Sequence, residues 1–397
     1  MNKILTTILN IGEEMLMSGA EVNRVEESIR RMGSAMGAVR TDVFVLTSYM
    51  VATFHSNDGS LTQTRRLYRS DTNIEKLHRL NALSRRVCAG KMSIEEIDDE
   101  YRKIKNLRTY PLWLETASYG FISAAFAIFF GGGIAESILA GVIGGILGLI
   151  VAACASLGLN KIFAKLLCSF SATLLALFCL HIGIVDTADN IIIGNIMTLI
   201  PGVGLTSALR DLFVGDSITG LLRTIEAVLF ALAIAGGYFL SAFIMQDVSG
   251  GVASGNTNPI AQIITAFIGS TGFAVLYNIR GHRFALASLG GLLSCSAYLA
   301  LGLILPNEIL RYFIVAALIS IYAEIMARPL KTPTTTFIMT GLIPLIPGSF
   351  LYYTMTGAFL GNLSGFIEKG VMTLGLAGAL AAGIILVAGF AKTIRKN

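Results

Sequence analysis

Charge is scarce in this chain. Only 14% of its 397 residues are Asp, Glu, Lys or Arg, against about 25% in soluble globular proteins. With 54% apolar residues and a mean hydropathy of +0.70, that excludes a soluble enzyme and a disordered chain alike. Cysteine is sparse too. Cys88, Cys154, Cys168, Cys179 and Cys295 contain no C-x-x-C pair, which removes a disulfide framework and disfavours a zinc or thioredoxin site. No G-x-S-x-G, H-E-x-x-H or P-loop pattern occurs. A signal peptide is missing, because Glu13 and Glu14 interrupt the first apolar run and no small-residue cleavage site follows. A net charge of +5 is too small an excess to indicate nucleic acid. The expectation is no catalytic centre, no metal and no cofactor.

The charge that exists is clustered. Residues 1–110 hold 17 Lys and Arg and 14 Asp and Glu, about 28%, a soluble value; residues 111–397 carry about 8%. The chain therefore reads as a polar head over 1–110 and a membrane body, divisible into halves at 111–245 and 246–397. A bilayer core needs about 20 apolar residues per helix. Ten stretches qualify: 113–130, 134–157, 163–184, 190–206 and 218–244 in the first half, then 259–278, 284–304, 310–327, 336–357 and 370–391. The fourth and ninth carry Pro-Gly in their interiors.

Basic residues set the direction. With the head inside, the inner loops and tail hold Lys161, Lys165, Arg210, Arg280, Arg283, Arg328, Lys331, Lys392, Arg395 and Lys396, and the outer loops only Arg311 and Lys369. This is the positive-inside pattern, with both termini cytoplasmic. The outer loops are acidic or neutral, with Asp186 and Asp189 in one and Asp247 in the stretch 246–258.

An internal repeat is visible at an offset of 146. Pro201-Gly202 aligns with Pro347-Gly348, Phe213 with Phe359, and Gly215 with Gly361. Both Pro-Gly pairs fall in the fourth segment of a five-segment half. Five is odd, so the halves face opposite ways, the inverted-repeat plan of many secondary transporters. Paired broken helices in such proteins place a substrate near the midplane, among freed backbone groups and helix dipoles. Taken singly, each Pro-Gly also reads as a kink in a packing helix.

The head reads as a small α+β unit. Residues 1–17 form an amphipathic helix with Ile4, Leu5, Ile8, Ile11, Met15 and Leu16 near one face. Ser18 and Glu21 have capping-box spacing, so a second helix is expected from Ser18 to about Gly37. Strands are expected over 41–48, 49–56 and 61–68, with a turn at Ser56-Asn-Asp-Gly59, and helices over 73–89 and 93–107. His55 beside Asp58, with Glu21, Arg24 and Glu26, could suggest catalysis. Glu21, Arg24 and Glu27 at i, i+3 and i+6 fit a charged helix face better.

Two stretches carry a resemblance: Ser18-Gly-Ala-Glu-Val-Asn-Arg-Val-Glu-Glu-Ser28, and Ile192-Ile-Gly-Asn-Ile-Met-Thr-Leu-Ile-Pro-Gly-Val-Gly-Leu-Thr-Ser-Ala-Leu-Arg-Asp-Leu212 followed by Gly215-Asp216. They resemble the threonine/serine exporter family over the whole length, with both halves fused in one chain. Gly204 and Ser207 depart from the family's pattern. The resemblance implies a cytoplasmic N-terminal domain, ten spans, and export of threonine and serine driven by the proton-motive force, or of a dicarboxylate such as succinate in split relatives.

Ionisable groups inside a span mark pathways. Glu226 lies about eight residues into the fifth segment, ~12 Å deep, and is the expected proton carrier, with Glu324 second. Arg223, one turn from Glu226, is expected either to hold a substrate carboxylate or to neutralise Glu226. Arg210 and Asp211 follow the first Pro-Gly and are expected to gate the inner mouth. Asn195, Thr198, Pro201, Gly202, Thr206, Ser207, Pro347, Gly348, Ser349 and Tyr352 are expected to line the substrate site. The fold class is thus an all-α polytopic membrane protein of about ten transmembrane helices in 5+5 inverted repeats, with a small α+β head. Its partners are a small-molecule substrate, protons and the lipid bilayer; a homo-oligomer is compatible with the reading. A passive channel and a membrane-anchored enzyme acting through the head are the alternatives of other classes.

Overall fold

Apolar residues spaced three and four apart build the head helices. In the computed structural model, which describes residues 2–57, 59–67, 71–90, 92–246 and 258–394 (side chains of Val203, Phe359 and Ile394 excepted), α1 (Asn2–Met17) buries Leu5, Ile8, Leu9, Ile11, Met15 and Leu16. α2 (Val22–Ala35) buries Val22, Val25, Ile29 and Met32. The expected capping box at Ser18 is not formed. Glu21 is the N-cap, without a side-chain cap bond. Ser18 and Gly19 instead close α1, with Gly19 at φ +96°. The strands β1 (Arg40–Val45), β2 (Tyr49–Ser56) and β3 (Gly59–Arg66) make an antiparallel sheet in that order. Met50, Ala52 and Phe54 of β2 point inward, and Gly33 of α2 lies against Phe54 and Thr41. α3 (Ile74–Cys88) is capped by Asn73, whose Oδ1 accepts from the Lys76 N–H. A complete capping box, Ser93 with Glu96, opens α4 (Ile94–Lys105). Asp58, Tyr68, Asp247, Arg395 and Lys396 lie outside the described residues.

The head unit takes in more than its own stretch of chain. It comprises Met1–Thr109 together with Tyr277–Arg280 and Ala327–Pro333. The Ile74 N–H donates to the Tyr277 carbonyl at 2.9 Å, and Asn278 Nδ2 to Asn73 Oδ1 at 3.0 Å. Arg280 donates to the Arg108 carbonyl and Arg85 to that of Lys331. Thr332 Oγ1 lies 2.7 Å from His78 Nδ1.

The second unit is all helix: α5 (Leu112–Phe129), α6 (Ile134–Ser156), α7 (Lys161–His181), α8 (Asp189–Ile196), α9 (Gly202–Val214), α10 (Ser217–Met245), α11 (Pro259–Leu276), α12 (His282–Gly302), α13 (Glu308–Ala327), α14 (Thr335–Gly341), α15 (Gly348–Phe359) and α16 (Leu363–Ile394). Among the described residues, α5, α6, α7, α10, α11, α12, α13 and α16 are each long and apolar enough to cross a membrane. The fourth and ninth segments are not continuous helices. The fourth is α8 plus α9. The ninth is α14, a 3₁₀ turn at Ile343–Leu345 and α15, a pair bent by 48°. Proline causes both interruptions: it supplies no N–H, and its ring excludes the carbonyl one turn back. Large apolar side chains such as Phe121, Val142, Leu149, Phe178 and Leu232 remain exposed, as a lipid-facing surface requires.

Each half runs as three long helices, a broken pair and a further long helix. Close helix contacts repeat as well. A Cβ added at Gly144 would strike Ser123 Oγ and the Tyr119 carbonyl; one at Gly291 would strike Ser270 Oγ and the Ala266 carbonyl. Gly237 faces the Leu166 carbonyl and Phe170 N, and Gly383 faces the Phe313 carbonyl and Ala317 N. Every partner in the second half stands 146 or 147 residues after its counterpart. Small residues let the backbones approach in both halves, the usual device of membrane helix packing.

Candidate functional site

At the first break the backbone leaves the helix after Ile196. Leu199 N and Ile200 N still reach the Ile196 carbonyl, at 2.8 and 3.0 Å. Pro201 then caps α9, and its carbonyl accepts from Leu205 N at 2.8 Å. The Leu199 carbonyl, freed by the break, accepts from Lys165 Nζ of α7 at 2.8 Å. Asn195 is fully buried. Its Nδ2 donates to the Ile191 carbonyl, while its Oδ1 has no hydrogen-bond partner among the described residues. Thr198 Oγ1 donates to the Asn195 carbonyl.

The second break has the same plan. Pro347 caps α15, and Leu351 N donates to its carbonyl at 3.1 Å. The two breaks touch reciprocally. A Cβ on Gly202 would fall within the Ile346 side chain; one on Gly348 would fall on Met197 Sδ and, at 2.9 Å, on Ile200 Cδ1. Ile200 and Ile346 are the residues before the two prolines, so each glycine packs against the residue preceding the other proline. A two-fold axis between equivalent segments produces this exchange of partners. Two helix N-termini, each with unbonded N–H groups and a partial positive charge, therefore begin beside one another.

Asn195, Thr198, Pro201, Gly202, Pro347, Gly348 and Ser349 are thus brought together at the breaks. Thr206 is buried and Ser207 half-buried farther along α9. Tyr352 is fully buried; its OH donates to Asp189 Oδ1 at 2.9 Å, tying α15 to the start of α8. The ring of Tyr238 meets it edge-on. Arg223 does not neutralise Glu226. It crosses to α9 and donates to Asp211 Oδ2 at 2.6 Å, while Arg210 lies 3.5 Å from Asp211 Oδ1. A buried carboxylate between two guanidiniums satisfies charge better than a helical neighbour three residues on. Glu226 stands on the exposed face of α10 with Leu222, Ile225 and Leu229, and Glu324 is half-buried on α13.

Two charged groups at this site carry no sequence signal of their importance. Lys165 sits close to the start of a span, where solvated lysines are ordinary. Asp189 sits in an acidic connection, yet only 6% of it is exposed. In the head, His55 Nε2 lies 3.0 Å from Asp42 Oδ2, and its Nδ1 2.7 Å from Ser60 Oγ. The Arg40 side chain, and after it His55, holds the Asp42 carboxyl below the usual aspartate range. Glu26–Arg30 and Glu27–Arg31 pairs run along α2, a charged helix face. No group of three or more metal-ligating side chains occurs among the described residues.

Comparison with known proteins finds relatives over nearly the whole chain. A family model described as "Putative threonine/serine exporter" matches residues 6–245, and one described as "Threonine/Serine exporter, ThrE" matches residues 262–390. A threonine/serine exporter of Corynebacterium glutamicum is 24% identical over 99% of this chain and 83% of its own length. A probable threonine/serine exporter of Mycobacterium tuberculosis is 21% identical over 97% and 75%. A probable succinate transporter subunit of Escherichia coli, YjjP, is 24% identical over 59% of this chain and 92% of its own length. No solved structure matches.

Proposed function

The chain belongs to the threonine/serine exporter family, and on that premise we propose that it exports threonine, serine or a similarly small amino acid in exchange for protons. The multi-pass body and the family make it a membrane exporter of a small molecule. The finer reading rests on one observation, the reciprocal packing of the two Pro-Gly breaks. Their helix N-termini suit a substrate carboxylate. The partnerless Asn195 Oδ1 suits a substrate hydroxyl.

The coupling proton is assigned to Lys165. Its charged ammonium holds the Leu199 carbonyl and so the first break; loss of the proton weakens that hold. Glu226, exposed on α10, and Glu324, half-buried on α13, are the carboxylates that remain candidates beside it. The Arg210–Asp211–Arg223 cluster braces α9 against α10 at the end where α10 starts. The basic residues orient both termini toward the cytoplasm, in the cell membrane.

Efflux of radiolabelled threonine, serine and succinate from proteoliposomes, with and without an imposed proton gradient, tests the reading. Saturable threonine or serine efflux that rises with the gradient is expected. Non-saturable flux indifferent to the gradient overturns it in favour of a channel. Succinate flux alone overturns it in favour of a dicarboxylate carrier, the activity named for the YjjP relatives.

A further inference from the structure

The two halves differ in the side chains that stand around their breaks. In the first, Lys165 of α7 reaches the freed Leu199 carbonyl. The matching residues of the second are Tyr312 and Leu345, and these share the wall of a cavity of about 170 Å³. Water takes about 30 Å³ per molecule in the liquid, so one small solute fits. Lys161, the residue that starts α7, has Glu308 as its counterpart at the start of α13, and Glu308 also lines the cavity. An ammonium borne by the chain in one half is thus replaced by space and a carboxylate in the other.

The groups around this space are arranged for a zwitterion. Tyr298 OH donates to Glu308 Oε1 at 3.1 Å, the one hydrogen bond this carboxylate accepts among the described residues. Arg311, one turn along α13, gives its guanidinium to the Tyr298 ring, 4.7 Å from the ring centre, rather than to Glu308. The Glu308 charge is therefore left for a ligand. Ser349 and Phe350 also line the cavity. Their N–H groups precede the first intrahelical bond of α15, which Leu351 donates, and they face an anion favourably.

Resting on the export reading, we infer that this cavity is the binding site for an α-amino acid, its ammonium on Glu308 beside the Tyr298 and Tyr312 rings and its carboxylate on the N-terminus of α15. Glu308 makes the site selective, because a dicarboxylate would bring a second negative charge against it. The aromatic faces add cation–π attraction for the ammonium. The cavity is lined by the ends of α5 and α12 and the starts of α11 and α13. In the orientation proposed above, this is the release side.

The test is equilibrium binding of radiolabelled L-threonine to the full-length protein in nanodiscs. The competitors are threonine methyl ester, which keeps the ammonium, and 3-hydroxybutyrate, which keeps the carboxylate. The ester should compete at least tenfold better than the hydroxy acid. Glu308→Gln should weaken threonine at least tenfold and erase that preference. Glu308→Asp, which keeps the charge, should retain part of both, and it decides the matter if the Gln variant does not fold. Unchanged threonine affinity in Glu308→Gln, or no preference for the ester in the native protein, overturns the site while leaving the export reading intact. A native protein that neither binds nor carries threonine overturns the export reading itself.

Discussion

The two Pro-Gly breaks share a backbone plan and differ in what surrounds them. The first is ringed by charge that the chain supplies itself: Lys165 on the Leu199 carbonyl, and Asp211 held between Arg210 and Arg223. The second is ringed by Tyr298, Tyr312 and Phe350 and keeps an open space beside Glu308. The duplicated fold preserves the close contacts that only glycine permits, because those fix the backbone. It leaves the side chains around each break free to diverge. One half closes on its own groups, and the other has room for a guest.

The sharpest way to break this comparison is at Asp211. Asp211→Asn takes the buried carboxylate away from two half-buried guanidiniums and should cost about 3 kcal/mol, read as a large fall in melting temperature in nanodiscs. The position equivalent to Arg223 is Lys369, which among the described residues pairs only with the exposed Glu368. Lys369→Met should therefore change stability by no more than about 1 kcal/mol. Similar losses from both substitutions would mean the halves are alike after all.

Lys165→Met should come next. It removes a charged donor from a carbonyl inside the unit, costing about 1.5–3 kcal/mol, and should abolish gradient stimulation of efflux while leaving exchange between labelled and unlabelled substrate. Preserved stimulation would strip Lys165 of the coupling role. A smaller difference is expected between the glycines. Gly202→Ala drives a methyl into the branched Ile346 and should cost about 1–3 kcal/mol. Gly348→Ala meets mainly the flexible thioether of Met197, which can move aside. Thermal melts should rank Gly202→Ala below Gly348→Ala, and Ile346→Leu, which removes the Cγ2 methyl that the new Cβ meets, should partly restore the former.

The smallest effect is expected in the head. Because the folded Asp42 carboxyl is held below its ordinary value, its contribution is present above that value, near pH 4, and is lost as pH falls through the folded one. Asp42→Asn should flatten the acid limb of the stability curve below about pH 4 and leave efflux at neutral pH unchanged. An efflux defect at neutral pH would tie the head to transport as closely as either break.

Much of this was legible in the residues. Proline cannot continue a helix, so Pro201 and Pro347 announced both breaks, and their common offset announced the repeat. Alternation in 49–56 fixed β2 to the residue. Other features left no mark. Gly144 and Gly291, or Gly237 and Gly383, cannot be picked out by eye where glycine is common in every span. Arg223 has an acid three residues on, yet its partner is twelve residues back on another helix, a tertiary fact that no local spacing encodes. Ser18 and Glu21 had the right spacing for a cap, but Gly19 in the left-handed region turned the chain before the helix began.

The loops that complete the head impose an order in time. Asn73 and Asn278 are joined by a hydrogen bond although 205 residues separate them in the chain. At about 5–20 residues per second of synthesis, the wait between the two is roughly 10–40 s. Throughout it α3 exists without the carbonyl that accepts its first N–H. The earliest part of the protein to emerge is thus among the last to be finished. Its final hydrogen bonds wait on residues 277–280 and 327–333, which are made before the last broken pair and α16.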